Sequence, residues 1–448
     1  MVRLLSSLAK KIGIDGSIFF TILARSLQAL GSVFTIFLIS GNLSKVEQGY
    51  YYTFGSILAI QIFFELGLNG IIAQFVAHEA AHLNITEDLD VTGEAANISR
   101  LSSLLRFCLK WFGVLSIVLF ISLLIFGNIF FTRYGKGGNV SWQRPWFFLA
   151  LGSSLMLFVD PVLGFLEGLG KVKDVARIRL GQQSIFLATM IIMLSSGGKL
   201  YSGGIALISA FLVIVTSIFL SPFRKILWNI LKARGATVVN YGKEIFPYQW
   251  RIAVSWVSGY FIFQLFNPVL FATEGPLVAG QMGMTLAAFN GISSLSMSWI
   301  STKVPTFSKL IARRNFTDLD SLFNRTFKQA QLVNAVGVGL FILGLAFLRW
   351  KGVGIAERFL PIYVVGLLGL VTFINQMVFA WATYLRCHKK EPFLIQSMVT
   401  GGLCAISTLC LGKFFGLNGI VGGYAVIIIF ISMTWAFTMF KTKRALWH

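Results

Sequence analysis

Runs of about 20 apolar residues, separated by short polar segments, recur from one end of the chain to the other, and each is long enough as a helix to cross the hydrocarbon core of a bilayer. They predict about twelve membrane-spanning helices, over residues 14–39, 49–76, 108–131, 146–168, 176–196, 204–221, 250–272, 277–300, 329–348, 359–384, 393–411 and 416–439. The fold class is all-α and polytopic, with two six-helix lobes, 1–222 and 250–448, joined by a basic segment, 223–249. Within that linker Ile226, Leu227, Ile230 and Leu231 have helical spacing with Lys and Arg beside them. This predicts a short amphipathic helix lying on the inner leaflet.

The halves carry a faint internal echo. "FLISGNLSKVEQGYYYTFGSI" from Phe37 and "VLFATEGPLVAGQMGMTLAAF" from Val269 each close one helix and open the next, about 231 residues apart. Six spans per half give both repeats the same orientation about an axis along the membrane normal, the arrangement in which a substrate path runs between lobes.

Basic residues set the orientation. With the N-terminus inside, the cytoplasmic segments hold 28 Lys and Arg and the outer loops 9, and Arg25 completes the 38. The positive-inside rule then places both termini in the cytoplasm. The net charge of +21 is largely a cytoplasmic collar, attracted to anionic lipid headgroups, and part of it is available to an anionic substrate. No segment outside the membrane exceeds about 30 residues, so nucleic-acid binding is not expected. A chain that is 56% hydrophobic and 12% charged fits the polytopic class. Cys108, Cys387, Cys404 and Cys410 show no CxxC spacing, which predicts neither a disulfide framework nor a metal site. The N-terminal "MVRLLSSLAKK" is basic, but the run after it is too long for a signal peptide and lacks a small-residue cleavage site. It is expected to remain as the first span.

Charge inside the membrane is costly and marks function. Arg25 sits near the middle of the first span, and Thr21, Arg25, Gln28, Ser32 and Thr35 fall on one arc of its helical wheel, a stripe that faces protein or water. In the second span Gln61, Glu65 and Asn69 recur at i, i+4 and i+8, with Glu65 at a height similar to that of Arg25. Two readings stand. Either Arg25 and Glu65 form a buried ion pair that neutralises both, or Arg25 lines a central cavity and Glu65 holds it until an anionic ligand competes. Asp160 precedes Pro161, which predicts a kink, and Glu65 and Asp160 are candidates to bind a coupling ion. Arg251 and Lys303 stand at inner helix ends, where snorkelling anchors and ligands both occur. Tyr260, Gln264 and Asn267 line one face of the seventh span. The substrate-binding candidates are therefore Arg25, Gln28, Glu65, Asn69, Arg251, Gln264, Asn267 and Lys303. His78, His82, His388 and His448 lie outside the spans, and there is no HExxH, GxSxG or Walker sequence, so neither an enzyme nor a bound cofactor is expected.

"LSKVEQGYYYTFGSILAIQIFFELGLNG" across the first two spans, "LEGLGKVKDVARIRLGQQ" between spans four and five, and "WISTKVPTFSKLIARR" after span eight resemble the Wzx-type polysaccharide-repeat-unit (O-antigen) flippases. These belong to the multidrug/oligosaccharidyl-lipid/polysaccharide exporter superfamily. The resemblance spans essentially the whole chain, and its motifs are a Gly-aromatic helix start, an acidic-Leu-Gly turn in helix two and a Pro-x-x-Ser segment. It implies transport of an undecaprenyl-diphosphate-linked oligosaccharide from the cytoplasmic to the periplasmic leaflet of the bacterial inner membrane. It also implies two lobes around a cationic cavity, with membrane lipids and polysaccharide polymerase machinery as neighbours. Arg25 and Glu65 fit that pattern. The second half departs from it, since Trp256 and Val257 stand where a cation matching Arg25 would fall, so its charge must come from Arg251 or Lys303. The alternatives are a drug/cation antiporter of the same superfamily and, less favoured, a glycan polymerase or acyltransferase. The short outer loop at 132–145 and the lack of an intramembrane His argue against the last two.

Overall fold

The computed structural model describes residues 31, 34–81, 83–85, 91–135, 140–233, 239–388 and 390–447. Arg25, Gln28 and most of the first predicted span lie outside the described residues. In chain order, α1 is the helical stretch 34–42, followed by α2 (Lys45–Leu58), α3 (Ile62–Glu65) and α4 (Leu68–Ala80). A short antiparallel hairpin, β1 (Leu83–Ile85) and β2 (Val91–Gly93), precedes α5 (Ala95–Tyr134), α6 (Gln143–Gly168), α7 (Val172–Ser195), α8 (Tyr201–Leu220) and α9 (Phe223–Lys232). Then come α10 (Phe246–Phe263), α11 (Phe266–Thr273), α12 (Pro276–Ser301), α13 (Val304–Ala312) and α14 (Phe316–Trp350). The chain closes with α15 (Ile362–Arg386), α16 (Leu394–Val426) and α17 (Met433–Trp447). Among the described residues nine helical segments are long and apolar enough to cross a membrane. The last, Leu394–Trp447, holds two predicted spans, separated where Gly416 (φ 55) interrupts the helix.

Local signals start these helices where the polar positions fall. The Ser44 hydroxyl accepts from the Glu47 amide at 3.1 Å and the Glu47 carboxylate accepts from the Ser44 amide at 2.8 Å, a capping box that opens α2. Pro276 opens α12 behind Gly275, where its missing N–H costs nothing, and the Asn315 side chain caps α14 by accepting from Asp318.

Three expectations change. The second span is not one helix: Leu66 (φ 47) and Gly67 (φ 70) are both left-handed and separate α3 from α4 directly after Glu65. Glycine suits that backbone, and the site is crowded, since a Cβ on Gly67 would fall 2.5 Å from the Ile252 side chain. Asn69 therefore does not continue the i, i+4, i+8 face of Gln61 and Glu65. The seventh span is likewise interrupted at 264–265, between α10 and α11. Finally, α9 does form, but Phe223, Ile226 and Ile230 are buried, so its apolar side is used against protein and not against the leaflet. At Asp160–Pro161, α6 runs on without interruption.

Contacts divide the chain into two compact units. One comprises 60–131 and 141–256, and the other 32–59, 132–140 and 257–448. The division cuts differently from the halves of the sequence because the segment 32–59 packs on elements of the second half. In that second unit α2 lies against α12 so closely that a Cβ on Gly49 would fall 1.9 Å from the Pro276 carbonyl oxygen. Tyr50 meets Phe271 edge-on at 5.0 Å and donates to the Gly135 carbonyl at 3.1 Å. Farther along the unit, Phe323, Tyr384, Trp381 and Phe440 form an apolar knot fixing α17 onto α14 and α15, and Asp320 binds both Tyr384 and Arg444 beside it.

Candidate functional site

In the first unit, the broken second span carries the polar cluster. Gln61 donates to Glu65 at 2.5 Å and accepts from the Ser153 hydroxyl of α6, also at 2.5 Å. Glu65 is thus held by a neutral amide that is itself oriented from a second helix, while Leu66 and Gly67 unwind the chain beside it. Asp160 lies seven residues after Ser153, on the same face of α6. It shares an electrostatic neighbourhood with Glu65, Glu167 and Arg179, and Arg179 pairs with Glu167 at 3.2 Å. Asn69 stands two residues past the break, its backbone packed on Gly164 and its side-chain oxygen buried without a partner among the described residues. Glu65 and Asp160 are therefore brought near one another, whereas Asn69 is set apart by the break.

In the second unit, Asn267 donates to the Ser56 hydroxyl at 2.9 Å, tying α11 to α2. Gln264 stands at the interruption between α10 and α11, and Lys303 is exposed at the end of α12. Arg251 lies within α10, in the part of that helix that belongs to the first unit. The end of the unit near α2 is closed by a polar strap. Gln48 donates to the carbonyls of Gly280 (2.9 Å) and Arg358 (3.1 Å) and accepts from the Arg358 guanidinium at 3.1 Å. Lys45 pairs with Glu357 and holds its carboxyl below the usual range.

Sequence reasoning missed Ser153, Ser56, Gln48 and a buried amide layer. Gln331, Asn334 and Gln376 are all buried; Asn334 donates to the Ser296 hydroxyl at 3.2 Å, but both ends of Gln331 and Gln376 lack hydrogen-bond partners among the described residues. Their signal was present as amides within otherwise apolar spans. Nothing in the periodicity separates such a group from an ordinary helix contact.

A further set of contacts fixes the linker to the first unit. Arg100 bridges Glu79 at 2.8 Å and Glu244 at 2.5 Å, and its guanidinium holds the Glu244 carboxyl below the usual range. Tyr241 stacks on Phe107 at 4.9 Å, and burial pushes its phenol up.

No family model and no curated protein sequence matches the chain. Solved structures do. The fold is similar to the lipid II flippase MurJ in an inward closed conformation, with a TM-score of 0.61 and 14% identity over 96% of this chain and 89% of that one. It is similar to the MATE multidrug transporter DinF-BH in a ligand complex, with a TM-score of 0.62 and 14% identity over 96% of both chains. It is also similar to a MOP superfamily transporter from Pyrococcus furiosus described as having a binding pocket of reverse polarity, with a TM-score of 0.51 and 13% identity over 96% of both chains. The protein is an α-helical, multi-pass membrane protein with the fold of these transporters, which have about twelve membrane helices. Of these three, MurJ is described as a flippase and the other two as transporters.

Proposed function

We propose that this protein is a flippase that carries an undecaprenyl-diphosphate-linked oligosaccharide from the cytoplasmic to the periplasmic leaflet of a bacterial inner membrane by alternating access. The observation that carries the reading is the fold, shared with the lipid II flippase MurJ, together with polar and charged side chains standing inside apolar spans. Among them Glu65 is held by Gln61 and Ser153 where the second span is broken. Charge kept inside a membrane marks a substrate or ion path.

The substrate class rests on charge. A diphosphate cannot cross hydrocarbon unaided, and a guanidinium offers it a paired, fork-shaped contact. Arg25 with Gln28 supplies that group on the first span, and Arg251 or Lys303 supplies charge from the second half. Gln264, Asn267 and Asn69 meet sugar hydroxyls. Glu65 and Asp160 take the coupling ion, both termini face the cytoplasm, and polysaccharide polymerase machinery receives the product. The likeness to the lipid II flippase MurJ supports a lipid-linked substrate.

The test is flipping of a defined lipid-linked oligosaccharide by the reconstituted protein, with membrane levels measured in the same preparations. Arg25→Ala reaches the membrane but does not flip, Arg25→Lys keeps part of the activity, and Arg25→Glu has none. An Arg25→Ala protein with full activity overturns the assignment, and loss of folded protein in step with loss of activity favours the ion-pair reading. The Glu65–Gln61–Ser153 cluster and Asp160 favour one second reading, a drug/cation antiporter. Cation uptake by the same vesicles without oligosaccharide flipping would establish it.

A further inference from the structure

Helix α8 ends with Phe219 and Leu220 exposed by 59% and 84%, as lipid-facing residues of a span are. Only Ser221 and Pro222 separate it from α9, so Arg224 lies within about 15 Å of chain from Leu220, at ~3.5 Å per residue. The start of α9 is therefore confined to the membrane surface. Its apolar side is already occupied: Phe223, Ile226 and Ile230 are buried in the first unit. What remains outward is a single face built from Arg224, Lys225, Trp228 and Lys232, all exposed, with the Lys232 ammonium 5.1 Å from the centroid of the Trp228 ring. The helix contains no Asp or Glu.

Its C-terminal end would ordinarily repel an anion through unsatisfied carbonyls. Here those carbonyls are covered. The Arg106 guanidinium donates to the Leu231 and Ala233 oxygens at 2.8 and 2.7 Å, and the Ser102 hydroxyl donates to Ala233 at 2.8 Å. The same contacts fix α9 to α5, so the cationic face is presented on a rigid base and cannot roll its apolar side toward lipid.

We infer that this face is a docking site for the headgroups of anionic phospholipids in the leaflet from which α8 emerges. The attraction is electrostatic and headgroup-deep. Three basic side chains take the phosphates, and Trp228 sits among the headgroups, where its ring is favoured. The inference is independent of what the protein transports, since it needs only the membrane-spanning fold.

The experiment uses the full chain in lipid nanodiscs containing either phosphatidylglycerol or phosphatidylcholine brominated near the glycerol end, with no substrate present. Fluorescence quenching assigned to Trp228 is the difference between wild type and Trp228→Phe. At low salt the brominated phosphatidylglycerol should quench Trp228 several-fold more than the brominated phosphatidylcholine does. That preference should collapse to parity in Arg224→Gln/Lys225→Gln/Lys232→Gln, and in the wild-type protein at ~1 M salt, where the screening length falls to about 3 Å. The salt arm keeps the test decisive if the triple variant folds poorly. Equal quenching by the two lipids at low salt, or a preference that survives both the charge removal and high salt, overturns the inference. Absence of any Trp228 quenching does so as well, and places this face in water or against another protein.

Discussion

Gly49 of α2 and Gly280 of α12, 231 residues apart in the sequence, are in direct contact: a Cβ on Gly280 would fall 2.8 Å from the Gly49 amide nitrogen. Three residues farther along both helices the packing is as close, with a Cβ on Gly283 meeting the Tyr52 side chain at 2.2 Å. Along this seam backbone packs on backbone.

Gly280→Ala tests that seam. Its new methyl group faces backbone, which cannot rotate away, so α2 and α12 must separate. Overpacking of this kind costs about 1–3 kcal/mol. The expected result is a lower melting temperature together with faster thiol labelling of a Ser56→Cys reporter, which is buried at 4% exposure. A variant that melts like wild type and leaves the reporter protected would show that this contact does not hold the two helices together.

The split of 28 against 9 basic residues predicts that both termini face the cytoplasm. Lys351→Cys, in the exposed turn after α14, should react with an impermeant thiol reagent added to intact cells. Arg313→Cys, exposed after α13, should react only after permeabilisation. The reverse pattern would invert the direction of transport.

The linker should loosen in acid. The Arg100 guanidinium lowers the Glu244 carboxyl from its ordinary value of 4.5, so the pair contributes its full stability above 4.5 and loses it as pH falls through the lower, folded value. Both groups are partly exposed, and the contribution is small, about 0.2–1 kcal/mol. A spin label at Lys243→Cys should gain mobility as the pH falls below 4.5, and Glu244→Gln should carry that mobility already at neutral pH. A label equally immobile in both proteins would show that Tyr241 stacking on Phe107 suffices to hold the segment.

Hydropathy made the spans legible because each must be apolar over its full length, and the linker helix was legible because its signal is local. The break at Leu66–Gly67 was not, beyond the hint of an acidic-Leu-Gly turn, because a left-handed leucine is rare and no local pattern calls for one. The same holds for the pairing of Asn267 with Ser56, 211 residues apart, and of Gln48 with Arg358, 310 apart, which no window of sequence can register. The apolar side of α9 shows a different failure. Its spacing is identical whether the face meets lipid or protein, and only the contacts decide.

The last prediction concerns Gln331 and Gln376, and its sign is opposite to that of most core substitutions. Phe327, Gln331, Asn334 and Val338 form one stripe of α14, and Gly369 and Gln376 lie seven residues apart on α15. The stripes meet where Phe327 stacks on Trp381 at 6.1 Å and where a Cβ on Gly369 would touch Val338 at 2.9 Å. These two contacts bring Gln331 and Gln376 level with each other in an apolar interface, where neither amide has a partner among the described residues. An unsatisfied buried polar group costs about 1–3 kcal/mol, so replacing both amides with apolar groups of similar size removes a penalty from this conformation. Gln331→Leu/Gln376→Leu should therefore raise the melting temperature, and each single change should raise it less. If these amides find partners only when the helices rearrange during transport, the more stable double variant should also turn over more slowly. A double variant that melts lower than wild type would mean that the amides are already satisfied and that the layer is a structural support.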